Sequence, residues 1–172
     1  MSEAVSRPLA TRVLPLDLEG LDALDGEDLV AFAGLEDRPL RGLAGLVDWR
    51  ACGKLTRLVK DGVFAGEAGE ALIALPAGSV RIRRLFVMGK GTKLEAALER
   101  VRRAGGERVA IALDGGPWEA PLRAVHAAGF HAVTLLTADP KGAERALDAA
   151  MRALPWLRRL EAEEPAPASK SA

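Results

Sequence analysis

The stretch from Ile82 to Leu113, IRRLFVMGKGTKLEAALERVRRAGGERVAIAL, decides the fold. An apolar run from Ile82 to Met88 ends in the turn Gly89-Lys90-Gly91, and Leu94, Ala97, Leu98, Val101 and Ala104 then share one helical face. Thr92, with Glu95 three positions on, reads as a capping box opening that helix, and Gly105-Gly106 reads as its stop. Arg108 to Leu113 is the next apolar run. Strand, helix and strand at this spacing point to parallel pairing through a crossover helix.

The same alternation continues toward the C-terminus. Trp118 to Ala128 reads as a helix with Leu122 and Val125 inward, and Ala132 to Leu136 as a strand. Asp139-Pro140 supplies an N-cap and a first-turn proline, and Ala143, Ala146, Leu147, Ala150, Met151 and Leu154 form a helical stripe that Pro155 ends. Toward the N-terminus, Thr11 to Leu16, Asp28 to Ala33 and Glu70 to Leu75, closed by Pro76, read as strands. Residues 40 to 61 carry Leu43, Val47, Ala51, Leu55, Leu58 and Val59 near helical spacing, with Gly53 as a weak point, so one helix or two short ones are expected there. The organisation expected is a flexible segment 1–10, a single α/β domain over 11–160, and a tail over 161–172. That tail, rich in Glu, Pro, Ala and Ser, is too polar to offset its ordering entropy and is expected to be disordered.

Composition excludes more than it assigns. The 172 residues hold 24 Lys+Arg against 24 Asp+Glu, one cysteine and no tyrosine. Balanced charge argues against nucleic acid as the main partner, although the arginines at 81, 83, 84, 100, 102, 103 and 108 make the middle third locally basic. Arg100 and Arg103 share a helix with Glu95 and Glu99, the pattern of a solvated, salt-bridged face. A lone Cys52 cannot form an internal disulfide, and no basic n-region with an apolar h-region opens the chain, so a cytoplasmic protein is expected. Cys52 has apolar neighbours and reads as a small buried residue. His126 and His131 have no partner spacing for a metal site or a triad, so no metal and no cofactor are expected.

Three segments together resemble a known family: Asp28 to Ala33, then KLTRLVKDGVFAGEAGE over Lys54 to Glu70, then Arg84 to Gly91. In that order they are similar to the amino-terminal domain of the leucyl aminopeptidases, two-metal peptidases in which a macro-domain-like unit precedes the catalytic domain; the resemblance spans residues 27 to 157. It implies a three-layer α/β/α domain with a mixed, mainly parallel sheet. The family's metal-site run, Asn-Thr-Asp-Ala-Glu-Gly-Arg, does not occur in this sequence, so the resemblance implies the fold and not the peptidase activity.

In an open parallel sheet, ligands bind beyond the carboxyl ends of the strands. Two loops are expected there, Gly89-Lys90-Gly91 and Asp114-Gly115-Gly116-Pro117, where glycine permits close backbone approach and Lys90 could meet a phosphate. A macro-like unit would use such loops for ADP-ribose or a related nucleotide; as bare turns they need Gly and Asp for backbone reasons alone. Trp156, Leu157 and Leu160, after Pro155, are a candidate interface patch, the alternative being that they pack back on their own sheet. The reading that results is a non-catalytic domain acting through a homo-oligomer, a protein partner or a small ligand, without nucleic acid or membrane. The alternatives are a macro-like nucleotide or ADP-ribose binder or hydrolase, and an accessory subunit of a full-length aminopeptidase.

Overall fold

A computed structural model describes residues 7–74, 80–113, 115 and 117–160. Among the described residues seven strands form one sheet: β1 (Leu9–Pro15), β2 (Asp28–Ala33), β3 (Ala71–Ala74), β4 (Arg84–Gly89), β5 (Arg108–Ala112), β6 (Ala132–Thr137) and β7 (Leu157–Arg159), in the spatial order β3-β4-β2-β5-β6-β1-β7. All neighbours pair parallel except β3, which runs antiparallel to β4 along one edge. The helices among the described residues are α1 (Leu18–Asp22), α2 (Gly42–Arg50), α3 (Lys54–Lys60), α4 (Leu94–Arg103), α5 (Glu119–Ala127) and α6 (Pro140–Ala153).

The central strands are apolar without alternation because both faces of the sheet are covered. On one face Val30, Phe86, Met88, Val109, Ile111, Val133 and Leu135 pack with Ala97, Leu98 and Val101 of α4, Leu122 and Val125 of α5, and Leu147 and Ala150 of α6. On the other, Leu29, Ala31, Leu85, Val87 and Ala110 meet Leu21 of α1, Leu43 and Val47 of α2, and Leu55 and Val59 of α3. These two cores make three layers, α/β/α, with a mixed, mostly parallel sheet.

The helical segment from 40 to 61 is two helices. Cys52 and Gly53 both turn through positive φ, 51° and 75°, and break it. Asp48 then ties α2 to α3, accepting from the Thr56 N–H at 3.0 Å and from its hydroxyl at 2.6 Å. The expectation that Cys52 is buried is corrected: it is exposed, because the left-handed turn lifts it off the apolar face. The expected capping box is also absent. Lys93 occupies the N-cap with no side-chain hydrogen bond, and the Thr92 hydroxyl instead donates to the Gly89 carbonyl and accepts from Gly69 N–H. Asp139, by contrast, caps α6 by accepting from Gly142 N–H at 3.0 Å, with Pro140 in the first turn. Leu9 and Ala10 are already strand, two residues inside the segment expected to be loose.

Two elements were not expected from sequence. The five residues of α1 are capped by Asp17 through Gly20 N–H. The three residues of β7 add an edge strand beside β1.

Candidate functional site

The carboxyl ends of the parallel strands gather the turns after β2, β4, β5 and β6 on one side of the molecule. The two glycine loops expected there are not neighbours. β2 lies between β4 and β5, so Gly89-Lys90-Gly91 and Gly115 stand over different parts of that edge. Asp114 and Gly116 lie outside the described residues. The β2–β5 ladder ends at Val30 opposite Ile111, and Phe32, 37% exposed, lies at the gap that follows.

Over β2 and β4 the edge is closed by the chain itself. The turn through Asp61 to Glu70 comes so near that a Cβ on Gly89 would sit 1.7 Å from the Glu67 carbonyl oxygen, and one on Gly66 would sit 2.9 Å from the Cα of Gly34. Only glycine fits at these two contacts. Gly89 N–H donates to the Glu70 carbonyl at 2.9 Å, Thr92 clamps Gly69, and Arg100 donates to the Gly69 carbonyl. The turn is held in shape by the Glu70 carboxylate, which accepts from Ala65 N–H at 3.0 Å and Glu67 N–H at 3.2 Å. Those backbone donors, Ala65 foremost, hold its carboxyl below the usual range. Gly91 rests against the same turn, 3.5 Å from the Ala68 Cβ if it carried a Cβ of its own.

Lys90 is engaged by two carboxylates, Glu36 at 2.9 Å and Asp37 at 3.2 Å. Hydrogen bonding to Glu36 and then Asp37 raises the lysine pKa, and Lys90 in turn lowers that of Glu36. An arriving phosphate would have to displace both acids. No sequence signal marked Glu36 and Asp37, because they come from the loop after β2 and meet Lys90 only once β2 and β4 pair.

Over β5 and β6 the edge is open. Gly115, Trp118, Thr137, Ala138, Asp139, Gly142, Ala143 and Ala146 line a cavity of about 420 Å³ at the start of α6. The Gly142 N–H in its lining is already taken by the Asp139 carboxylate, which also lines the cavity.

The remaining candidates lie elsewhere. Leu157 is 1% exposed and packs in the core with Leu154 and Leu9. Trp156 is half-buried, its ring stacked on His126 at 3.9 Å between centroids, and Leu160 N–H donates to the Thr11 carbonyl at 2.8 Å. Of the arginines, Arg84 forms a two-pronged pair with buried Asp28 at 2.8 and 2.7 Å, Arg108 reaches buried Glu27, and Arg103 pairs with Glu99 one turn away. Arg102 donates to the Gly106 carbonyl and lies over the Phe130 ring. Much of the basic middle third is thus absorbed in holding the sheet's amino end together. Among the described residues no group of three or more His, Cys, Asp or Glu is placed to hold a metal ion, and no helix is long and apolar enough to cross a membrane.

The model of the cytosol aminopeptidase family's N-terminal domain matches residues 29–114, half of the chain, and so takes in the self-closed edge just described. The chain belongs to this family. A probable cytosol aminopeptidase of Nitrosococcus oceani is 28% identical over 111 residues, which are 63% of this chain and 20% of that protein. The chain therefore aligns with about a fifth of the curated cytosol aminopeptidase it matches. Among solved structures, the macrodomain of Thermus aquaticus DarG superposes with a TM-score of 0.50 at 14% identity, covering 77% of this chain and 99% of that one. Alphavirus P23pro-zbd superposes with a TM-score of 0.56 at 20% identity, covering 90% of this chain and 25% of that one. These likenesses show the fold: the cytosol aminopeptidase N-terminal domain here is a macro-like three-layer unit.

Proposed function

We propose that this chain is a non-catalytic cytosol aminopeptidase N-terminal domain that works by associating with protein, as a homo-oligomer or with a partner chain. One observation carries the reading. The crevice over β2 and β4, where a macro-like fold could admit a ligand, is filled by the chain's own Asp61–Glu70 turn, and its lysine is spent on Glu36 and Asp37. With the edge over β2 and β4 closed, recognition through the molecule's surfaces is favoured over a ligand held at Lys90. Release of chromophore from leucine p-nitroanilide in the presence of manganese is expected to stay at background; a rate that scales with purified protein would refute the non-catalytic part.

The cavity beside Gly115 favours a second reading, a binder or hydrolase of ADP-ribose or a related nucleotide. Calorimetric titration of ADP-ribose tests it: a micromolar site abolished by Gly115→Glu would replace the first reading. A narrower form of the association reading makes this chain an accessory subunit of a full-length aminopeptidase, supported by the family match and tested by co-purification with that enzyme.

A further inference from the structure

A trough runs along the outer side of α2 and α3. One part, about 260 Å³, is bounded by Pro39, Leu40, Val59 and the basic side chains of Arg38 and Lys60; Pro39 and Leu40 continue into a second part of about 700 Å³ beside Trp49. Trp49 is 72% exposed, although a tryptophan ordinarily buries most of its surface.

Arg38, Lys60 and Arg50 line this trough beside Asp37 and Asp48, and further cations stand around it on α3 and at the start of α2. Lys54, Arg57 and Lys60 are exposed at three-residue spacing on α3, and Arg38 and Arg41 stand at the entry to α2. None of the five makes an ion pair among the described residues, although the charge of Arg41 helps to lower the pKa of Asp37; Arg50, in the lining, is paired with Asp22. The acids that line the trough are occupied elsewhere: Asp48 is bonded to Thr56, and Asp37 to Lys90 and Gly34 N–H. Asp61, at the end of α3, adds one opposing charge. In a chain of zero net charge this is a local cationic surplus set against an apolar groove.

We infer that this trough docks an acidic protein segment carrying an apolar anchor. The inference rests on the association reading above and names its surface. Acidic side chains on such a segment complement Arg38 and Lys60 in the trough and the exposed Lys54 and Arg57 on α3, and steer its approach, while a leucine or aromatic anchor fills the groove at Pro39-Leu40 and covers Trp49. A nucleic-acid backbone would satisfy the cations and leave the groove empty, so the groove favours protein.

The probe is a short dye-labelled peptide of Glu and Asp around a central Leu-Phe pair, followed by fluorescence anisotropy with the intact chain. Saturable binding is expected, weakened about tenfold by K54E/R57E/K60E, by Trp49→Ala, and by replacing Leu-Phe with Gly-Gly in the peptide. All four substituted side chains are exposed, and circular-dichroism melts check that each variant folds as the parent does. No saturable binding, undiminished binding to either variant, equal binding of the Gly-Gly peptide, or preference for a labelled DNA duplex would each overturn the inference. If the peptide fails while the chain is still found in a protein assembly, this surface is wrong and the association reading stands.

Discussion

Glu27 is 1% exposed, and its carboxylate is met by Arg12 at 2.5 Å, Asp25 N–H at 2.7 Å and the Thr134 hydroxyl at 3.0 Å. Burial pushes this carboxyl up, but Arg12, the Asp25 N–H and Thr134 together outweigh it and hold it below its ordinary 4.5. A lowered folded-state value means that the stabilisation is complete above 4.5 and is lost as pH falls through the folded value. Glu27→Gln should cost about 2 kcal/mol at neutral pH and flatten the acid limb of thermal melts, because the charge-assisted bonds go and Arg12 is left without its acid. Tryptophan gives a second contrast at this scale. Trp118 is 4% exposed and Trp49 is 72% exposed. Urea unfolding should show Trp118→Ala costing about 4 kcal/mol and Trp49→Ala under about 0.5 kcal/mol. Nothing in composition separates these two residues; only packing does, which buries Trp118 at the start of α5 and leaves Trp49 on the outer side of α2. The exposure of Cys52 likewise comes from a positive φ that its apolar neighbours do not reveal.

At the scale of elements, the turn from Asp61 to Glu70 is the part that gives the strand ends their character. Gly89→Ala puts a methyl group where the Glu67 carbonyl sits, so the turn must lift. A loss of about 2 kcal/mol is expected, with faster hydrogen exchange confined to the amides of 65 to 70. Unchanged exchange there would mean that the contact does not hold the turn. The strands β2, β4, β5 and β6 were legible because buried parallel strands are continuous apolar runs, and α6 because Asp139-Pro140 caps it as expected. α4 was legible from its apolar stripe, but its start was not: Thr92 looks like a cap and is spent on Gly69 and Gly89, a partnership that exists only after the turn folds back. Three-residue β7 gives no periodic signal at all. Leu157→Ala should nonetheless cost about 3 kcal/mol in urea unfolding, because β7 seats that side chain in the core.

For the whole molecule, the fold class followed from strand-helix alternation, while the strand order did not. That β2 inserts between β4 and β5 depends on long-range pairing, and it is this insertion that separates Lys90 from Gly115 and leaves the two glycine loops without a common ligand site. The even charge of 24 against 24 is likewise silent about distribution: the amino end of the sheet spends its arginines on Glu27 and Asp28, while Lys54, Arg57 and Lys60 of α3 are exposed and outside any ion pair among the described residues. Family membership gives the architecture, and the self-closed crevice directs attention from ligand to protein surface. The most direct test is native mass spectrometry of the 18.2 kDa chain purified from its own cells. An assembly, of several copies or with another protein, carrying no retained nucleotide is the predicted result; an 18.2 kDa monomer that carries a bound nucleotide would contradict it.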